Sequence, residues 1–202
     1  MNVGRPFADI VPGPRGVVLA TLVQLEVPVT VRALARHAAI SPQGALRIVN
    51  ELSAAGVVTT QRAGRALLVE LNREHLTAGP LTALVSLRAR LVEQLAVELA
   101  GWPRLAGAWL FGSTARGDGG PDSDVDVLLV ADRSVDGDDW ADASGRLSAQ
   151  VRAWTGNDVQ LVEHTRRSFA QLVRRDNPLA AALRAEGIPL TPTTRGLLRG
   201  AA

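Results

Sequence analysis

Two short polar segments, each bordered by apolar residues, hold the side chains of this sequence that could carry out chemistry. Gly112 and Ser113 follow the apolar run 105–111, which is typical of a buried strand. A Gly-Ser turn after a strand lets backbone N–H groups and a hydroxyl approach a phosphate closely. Beyond a short spacer, Asp124 and Asp126 alternate with valines, as they would at the start of another strand.

The alternation determines where the two carboxylates point. Because residues two apart on a strand lie on the same face, Asp124 and Asp126 are expected to reach one cation together. Carboxylate oxygens bind Mg²⁺, which usually contacts substrate phosphates at the same time. The two segments together therefore predict a site for phosphoryl chemistry that uses Mg²⁺.

The stretch GSTARGDGGPDSDVDVLLV, residues 112–130, resembles the nucleotidyltransferase superfamily, in which Gly-Ser and then Asp-apolar-Asp occur in this order. It is most similar to the minimal nucleotidyltransferases, small prokaryotic relatives of aminoglycoside-modifying enzymes. The resemblance implies a small mixed β-sheet with helices, and compatible surroundings extend over residues 81–190. It also implies a nucleoside triphosphate, with ATP expected, and Mg²⁺ as the metal.

The resemblance also implies a role for each residue of the motif. Gly112 and Ser113 would hold the β- and γ-phosphates of the triphosphate. Arg116, one helical turn beyond Ser113, would brace a phosphate or form an ion pair. Asp124 and Asp126 would bind Mg²⁺ and take part in catalysis.

The superfamily needs a third carboxylate in the middle of a later strand, and this sequence departs from that pattern. Aligning the apolar residues of the run 159–162 places Gln160 at the position. Glutamine is uncharged and cannot act as a base at neutral pH. Asp158 lies on the same strand face, displaced by roughly 6.6 Å, and would serve only through a shifted register. Whether the site transfers a nucleotide therefore stays open at this point.

The amino-terminal part of the chain has a different pattern. Apolar residues at helical spacing predict three helices, over residues 16–26, 31–39 and 42–55. Thr30 and Ser41 stand at the capping positions of the second and third helices. Two strand-like runs, 57–61 and 66–71, flank a turn at 62–65 and predict a β-ribbon. Three helices and a ribbon resemble the winged helix-turn-helix domains of small prokaryotic transcription regulators.

This second resemblance implies binding to double-stranded DNA. The third helix of such a domain enters the major groove, and the wing reaches phosphates or the minor groove. An alternative for the same domain is protein interaction or dimerisation. The residues expected to contact DNA are Ser41, Gln43, Arg47 and Asn50 on the third helix and Arg62 and Arg65 on the wing.

Charge is unevenly distributed along the 202 residues. All 22 basic residues are arginine, and residues 1–80 hold 8 of them against 5 acidic residues, a net charge of +3. Residues 81–202 hold 14 arginines against 15 acidic residues, a net charge of −1. The chain has no Cys, which excludes disulfides and thiolate metal sites. No signal peptide or membrane-spanning run is recognisable, so we expect a cytoplasmic protein without membrane contact.

The α+β fold class and the domain plan follow from these patterns. Residues 1–15 are expected to be a flexible arm, 16–79 a winged helix-turn-helix domain, 80–190 a nucleotidyltransferase-like domain that begins with one long linking helix, and 191–202 a tail. The long helix could also support a homodimer. The leading interpretation is a DNA-binding protein whose second domain binds NTP and Mg²⁺ and transfers a nucleotide to a hydroxyl acceptor. Two alternatives stay open: a nucleotide-sensing transcription regulator with a weakened site, and an antitoxin-like protein with a partner encoded nearby.

Overall fold

The chain forms two compact units. One, the amino-terminal unit, is Arg5–Leu87, and the other, the carboxy-terminal unit, combines Met1–Gly4 with Arg88–Ala202. The structure is a computed structural model that describes residues 1–102, 104–134, 137–174 and 177–199. Of Arg199 it describes the backbone alone. The end of the expected tail, residues 200–202, lies outside the described residues.

The amino-terminal unit contains five helices and three strands within the described residues. In chain order these are α1 (Pro6–Ile10), α2 (Pro14–Gln24), β1 (Val29–Thr30), α3 (Val31–His37), α4 (Pro42–Ala54), β2 (Val58–Ala63), β3 (Ala66–Leu71) and α5 (Ala78–Val85). Its strands form an antiparallel sheet in the order β1-β3-β2. The buried side chains at its centre include Val18, Leu22, Leu34, Ile48, Val49 and Val69.

The two predicted helix caps are confirmed. Thr30 Oγ1 accepts a hydrogen bond from Ala33 N at 3.1 Å, which begins α3. Ser41 Oγ accepts from Gly44 N at 3.1 Å, and Pro42 occupies the first turn of α4. A side-chain oxygen at this position satisfies an N–H group that has no partner inside the helix. The start of α4, the predicted DNA-contacting helix, is therefore defined by its own sequence.

The predicted ribbon is present, with a tighter turn than the sequence suggested. Ala63 pairs with Ala66, so only Gly64 and Arg65 form the turn, and Arg62 belongs to strand β2. Gly64 has φ +59°, a left-handed value that glycine adopts without strain in short hairpin turns. The third strand, β1, was not predicted because two residues are too short for an alternating pattern to show.

The first fifteen residues differ from the flexible arm expected from sequence. Pro6–Ile10 forms the short helix α1, in which Phe7 is only 4% exposed. Val3, at 6% exposed, joins the core of the carboxy-terminal unit instead. Glycine and proline had suggested a loose segment, but two apolar side chains in it find buried positions on two different cores.

The expected single helix between the domains is also divided. Helix α5 ends at Val85 and α6 (Leu87–Ala100) begins two residues later. Between them the backbone N–H and the hydroxyl of Ser86 both bond to Thr82 O, at 3.2 and 3.0 Å. A serine that bonds back to a preceding carbonyl competes with regular helix geometry. The division between the two units falls at this break.

The carboxy-terminal unit is a mixed sheet covered by helices, an α+β arrangement as predicted. After α6 it contains β4 (Leu105–Phe111), α7 (Gly112–Arg116), β5 (Val125–Ala131), α8 (Asp138–Thr155), β6 (Val159–Thr165), α9 (Arg166–Arg174), α10 (Pro178–Ala185), β7 (Ile188–Pro189) and α11 (Thr194–Arg199). The strand order is β6-β5-β4-β7. Strands β5 and β6 are parallel, whereas β4 is antiparallel to both β5 and β7.

Alternate residues of β5 pack on opposite faces of this sheet. One face, here called the α8 face, buries side chains of α6 and α8 against β5, among them Leu95, Val127, Leu129, Leu147 and Val151. The other, the α9 face, buries side chains of α9 and α10 against β5, among them Leu128, Val130, Phe169, Val173 and Leu183. The near-continuous burial of β5 explains why its sequence reads as a run of Val and Leu.

The segment expected to be a tail packs on the sheet. Thr194, which is fully buried, accepts a hydrogen bond from Ala108 N at 3.0 Å and donates one to Ala108 O at 3.1 Å through its Oγ1 atom. Helix α11 follows from this anchor. Across the part of the chain that the structure describes, no helix is long and apolar enough to cross a membrane.

Candidate functional site

The Gly-Ser turn lies directly against one of the two motif carboxylates. Strand β4 ends at Phe111, and Gly112 opens α7 with φ +69°. A Cβ atom at Gly112 would lie 2.2 Å from Asp126 Oδ2. Glycine is therefore required at this position twice, once for its backbone conformation and once for the close approach of the carboxylate. The fold brings the predicted phosphate turn and the predicted metal ligand into contact.

The loop after α7 folds back over Ser113. Ser113 O accepts hydrogen bonds from the N–H groups of Gly117, Asp118 and Gly119, at 2.9, 3.1 and 3.3 Å. A Cβ atom at Gly119 would lie 3.0 Å from Ser113 Oγ. The Gly119 backbone thus lies close to the Ser113 side chain, and a larger residue at position 119 would crowd it.

Asp124 and Asp126 form an electrostatically coupled pair. Asp126 is half-buried on β5, and Asp124 precedes the strand and is exposed. Burial raises the pKa of the Asp126 carboxyl, and the neighbouring charge of Asp124 raises this pKa further. The positive charge of Arg116 acts in the opposite direction on the same pKa. Two carboxylates that repel each other beside a glycine turn are a suitable pair of ligands for a divalent cation.

Arg116 is held by two carboxylates. Its Nη1 atom lies 2.8 Å from Glu186 Oε1, and its Nε atom lies 3.1 Å from Asp118 Oδ2. The hydrogen bonds to Glu186 and Asp118 raise the pKa of Arg116. Of the two roles that the sequence left open, the structure shows an ion pair. Glu186 was missed at the sequence level because it lies far along the chain and belongs to no motif.

Gln160 occupies the position opposite Asp126. In the parallel pair β5–β6, Asp126 aligns with Gln160, and Leu128 aligns with Val162. Val162 packs with the core of the α9 face, so Gln160, two residues earlier, has the same face as Asp126. The register therefore places the uncharged amide of Gln160 beside the Asp126 carboxylate.

Asp158, just before β6, and Glu163, within it, both lie away from Asp126 and Gln160. Asp158 forms an ion pair with Arg152 of α8, the helix that packs on the opposite face, and its side chain is 65% exposed. Glu163 accepts hydrogen bonds from Trp140 Nε1 at 3.0 Å and from Ser144 Oγ at 2.8 Å. Both partners belong to α8, so Glu163 anchors that helix to the sheet. Strand alternation agrees with this, since Glu163 and Gln160 lie on opposite faces of β6.

The two carboxylates Asp124 and Asp126 are a suitable donor set for Mg²⁺ if phosphate oxygens supply further ligands. Among the described residues, no group of three or more His, Cys, Asp or Glu side chains could hold a metal ion. Asp124 and Asp126 are therefore a two-carboxylate pair. Mg²⁺ is commonly held by one or two carboxylates together with substrate phosphates and water, rather than by a complete protein cage. The donor set thus suits a metal that arrives with a triphosphate.

Two further residues, Asn157 and Thr114, hold the backbone at and before Asp124, and the sequence did not predict either of them. Asn157, 6% exposed, donates from Nδ2 to Pro121 O at 3.1 Å and to Ser123 O at 2.7 Å. Thr114, also 6% exposed, donates from Oγ1 to Asp124 O at 3.4 Å. No local sequence pattern shows which carbonyl groups the Asn157 side chain meets.

Gly4 and Arg88, which stand where the chain passes from one unit to the other, both contact the end of α7 near Gly117. A Cβ atom at Gly4 would lie 2.4 Å from Gly117 O. Arg88 donates from Nη1 to Ala115 O at 2.5 Å, and a Cβ atom at Gly117 would lie 3.3 Å from the same nitrogen. The chain passes between the units at Gly4–Arg5 and at Leu87–Arg88. Both passages therefore start from residues that touch the end of α7.

The predicted DNA-contacting side chains are exposed on the amino-terminal unit. Those on α4 and at its cap are Ser41, Gln43, Arg47 and Asn50, and those on the ribbon are Arg62 and Arg65. One acidic residue, Glu51, accompanies them, at 3.9 Å from Arg47. Glu51 also pairs with Arg15 of α2, which offsets its charge.

Comparisons with known proteins agree with the carboxy-terminal geometry. The family model "Nucleotidyltransferase domain" matches residues 92–175, which include the Gly112 turn, Asp124, Asp126 and Gln160. The chain is thus similar to nucleotidyltransferase domains over residues 92–175, and the mixed α+β arrangement is consistent with such a domain.

Two solved structures are similar to about half of the chain. One is a mutant of the toxin-antitoxin MntA-HpeT, with 20% identity over 55% of this chain and 80% of that chain and a TM-score of 0.38. The other is a toxin-antitoxin with AMP-PNP, with 23% identity over 54% of this chain and 80% of that chain and a TM-score of 0.38. A comparison with curated proteins finds no significant match.

Proposed function

We propose that the chain is a nucleotide-responsive DNA-binding protein whose nucleotidyltransferase domain binds ATP with Mg²⁺ but transfers nucleotides slowly or not at all. The observation that carries this proposal is the alignment of Gln160 with Asp126 across β5 and β6. The site keeps the groups that bind a metal-bound triphosphate and lacks the group that would activate an acceptor hydroxyl.

Binding and transfer make different demands on the site. Gly112, Asp124 and Asp126 supply a close phosphate turn and two metal ligands, which suffice for a Mg²⁺–triphosphate. Transfer also needs a base beside the acceptor, and the glutamine side chain cannot accept a proton at neutral pH. Asp158 is a poor substitute because Arg152 holds its carboxylate toward α8.

The amino-terminal unit supports the DNA-binding part of the proposal. Helices α2, α3 and α4 with a three-stranded sheet have the order of elements of a winged helix-turn-helix domain. Arg32 at the start of α3 and Arg65 at the ribbon turn line one groove of about 380 Å³. Arginines that converge on one groove suit a phosphate of the DNA backbone, while Arg47 and Asn50 on α4 suit base edges.

The contacts of Gly117 support a link between the two activities. A triphosphate at Gly112 and Ser113 would act on α7, whose last residue is followed by Gly117. Gly4 and Arg88, the two residues at which the chain passes toward the amino-terminal unit, both touch this end of α7. Occupancy of the turn would therefore alter both passages together and thereby the affinity for DNA.

Direct binding measurements test the proposal. Genomic duplex fragments that the protein selects are titrated with the full chain, with and without ATP and Mg²⁺, and transfer is followed with α-labelled ATP in a cell extract. We expect nucleotide binding that needs Mg²⁺, a DNA affinity that changes with it, and little label on any acceptor. Rapid transfer of label to an acceptor would instead support an enzyme.

The interaction alternative has its own outcome in the same experiments. A protein that co-purifies stoichiometrically with the chain, together with a failure to select any DNA, would support an antitoxin-like role. Light scattering of the full chain would report whether it forms the homodimer that many DNA-binding proteins of this type use on symmetric sites.

A further inference from the structure

The backbone on both sides of Asp124 is held by two consecutive residues just before β6, Asn157 and Asp158. Ser123 O accepts from Asn157 Nδ2 at 2.7 Å, and Val125 N donates to Asp158 O at 2.9 Å. Asp124 itself is exposed and precedes β5, so no strand pairing of its own fixes it. Its position therefore depends on how the loop before it is anchored.

Asn157 supplies that anchor. Its Nδ2 atom donates to Pro121 O as well as to Ser123 O, its Oδ1 atom accepts from Met1 N at 2.7 Å, and its own N–H donates to Thr155 Oγ1 at 3.0 Å. The residue is 6% exposed, and both ends of its amide are used. A carboxylate in its place would lose both bonds to the loop, because its oxygen would face two carbonyl oxygens.

We propose that Asn157 is a positioning residue of the nucleotide site, which acts through Asp124 by holding the loop 121–123. The inference rests on the proposed function, since it requires that Asp124 and Asp126 bind a Mg²⁺–triphosphate. Removing a group that orients a metal ligand without touching the metal usually lowers metal affinity by about 10- to 100-fold. Asn157 is expected to act in this range without touching nucleotide or metal itself.

The test compares the affinity of the full chain for ATP with Mg²⁺ and with EDTA, by calorimetry. In Asn157→Asp we expect the gain in affinity that Mg²⁺ confers to fall about 10- to 100-fold, while the affinity in EDTA stays unchanged. The added negative charge alone would favour a cation, so a loss reports geometry. Should this variant not fold, Asn157→Ser removes the amide without adding charge, and the same loss is expected.

The matched control is Asn72 in the amino-terminal unit. Its Nδ2 atom donates to Gly56 O at 2.9 Å, and its Oδ1 atom accepts from Glu74 N at 3.2 Å. Asn72 thus uses both ends of its amide, as Asn157 does, but it lies in the unit that does not contain Asp124. Asn72→Asp should leave the Mg²⁺-dependent gain unchanged. An equal loss in Asn72→Asp would show that Asn157 matters only for stability and would overturn the inference.

A double variant shows whether Asn157 acts through Asp124. Asp124→Asn should by itself remove most of the Mg²⁺-dependent gain, and Asn157→Asp added to it should lower the gain no further. An additive loss would overturn the inference while the proposed function stands. If the natural chain gains no ATP affinity from Mg²⁺, the proposed function fails at that step, and the inference fails with it.

Discussion

Asp126 and Gln160 face each other across neighbouring parallel strands, so a carboxylate and an uncharged amide share one level of the candidate site. Asp126 also lies against Gly112, which joins the phosphate turn to the same level. A site with this composition can attract a metal-bound triphosphate and still leave an incoming hydroxyl without a base. We therefore expect nucleotide binding and nucleotide transfer to be separable in this site.

Gln160→Asp should convert the binding site toward an enzyme. The new carboxylate would stand beside Asp126 on the same face and could accept the proton of an acceptor hydroxyl. General-base assistance typically contributes about 10²–10⁴-fold, so transfer from α-labelled ATP should rise clearly above that of the natural chain. The rate of label incorporation and of pyrophosphate release measures the change.

Asp158→Asn is the control for that experiment. Its carboxylate pairs with Arg152 on the α8 side, so its loss should change neither nucleotide affinity nor transfer. Both side chains of this ion pair are about two-thirds exposed, so its contribution to stability is also small. Robust transfer by the natural chain that disappears in Asp158→Asn would show that the register argument is wrong.

Asp126→Asn should stabilise the free protein at neutral pH. Burial and the charge of Asp124 raise the pKa of Asp126 in the folded state above its unfolded value. Stability from this group is therefore lost as the pH rises from the usual carboxyl pKa through the raised one, and it stays lost at neutral pH. The variant should have a higher Tm than the natural chain near neutrality, and the difference should disappear in acid.

With Mg²⁺ and ATP present, the natural chain should have a higher Tm than Asp126→Asn. Ligand binding stabilises the natural chain by mass action, whereas the variant has lost one metal ligand and should respond little. Asp142→Asn, at an exposed position of α8, is the control for a change of charge alone. If Asp126→Asn has an unchanged Tm shift with Mg²⁺ and ATP, Asp126 does not bind the metal.

Local patterns determined which parts of the site could be predicted. The alternation of Asp124 and Asp126 with valines, and of Gln160 with Val159 and Leu161, is visible in sequence, and the strands follow it. Thr30 and Ser41 likewise predict the starts of α3 and α4, because a capping residue bonds to the first turn of its own helix.

Contacts between distant segments could not be predicted in this way. Glu186 reaches Arg116 from 70 residues away, and Asn157 reaches Ser123 from 34 residues away. Each pair depends on the packing of a whole unit, and no periodicity encodes it. The division of the expected long helix at Ser86 was missed for a different reason, because leucines at helical spacing continue across it and hide the local bond from Ser86 to Thr82.

Arg47→Ala should weaken DNA binding selectively. Arg47 is 74% exposed on α4, in the position from which such a helix reaches base edges. We expect a cost of about 1–3 kcal/mol on the selected fragment and less on unrelated DNA, measured by fluorescence anisotropy. Arg90→Ala, an exposed arginine of α6, removes the same charge from the other unit and should have little effect. Equal losses in both variants would indicate only a general charge effect.

The ribbon arginines should show a different signature. Arg62 and Arg65 are exposed at and beside the Gly64 turn, where contacts with phosphates are expected. Replacing both by Ala should reduce the dependence of affinity on salt, because fewer counterions are released on binding. A titration series at several salt concentrations measures that slope. A slope equal to that of the natural chain would place the ribbon outside the interface.

Gly4→Ala should uncouple the nucleotide site from DNA. The new Cβ atom would lie 2.4 Å from Gly117 O, so the amino-terminal segment or the end of α7 must move. We expect ATP with Mg²⁺ and DNA each to bind still, while the ratio of DNA affinities with and without nucleotide approaches one. Coupling of this kind is usually about 5- to 150-fold, so its loss is measurable, and by linkage DNA should also cease to change the affinity for ATP.

Gly145→Ala provides the comparison. Gly145 lies within α8 of the same unit, and a Cβ atom there meets nothing within 4 Å, so alanine should be accepted with the coupling intact. The link through Gly117 is wrong if Gly4→Ala retains the full coupling ratio. It is also wrong if Gly145→Ala loses the ratio to the same extent, because the effect would then not depend on contact with α7. Loss of coupling in Gly4→Ala alone, with both ligands still bound, is the result that the two chain passages lead us to expect.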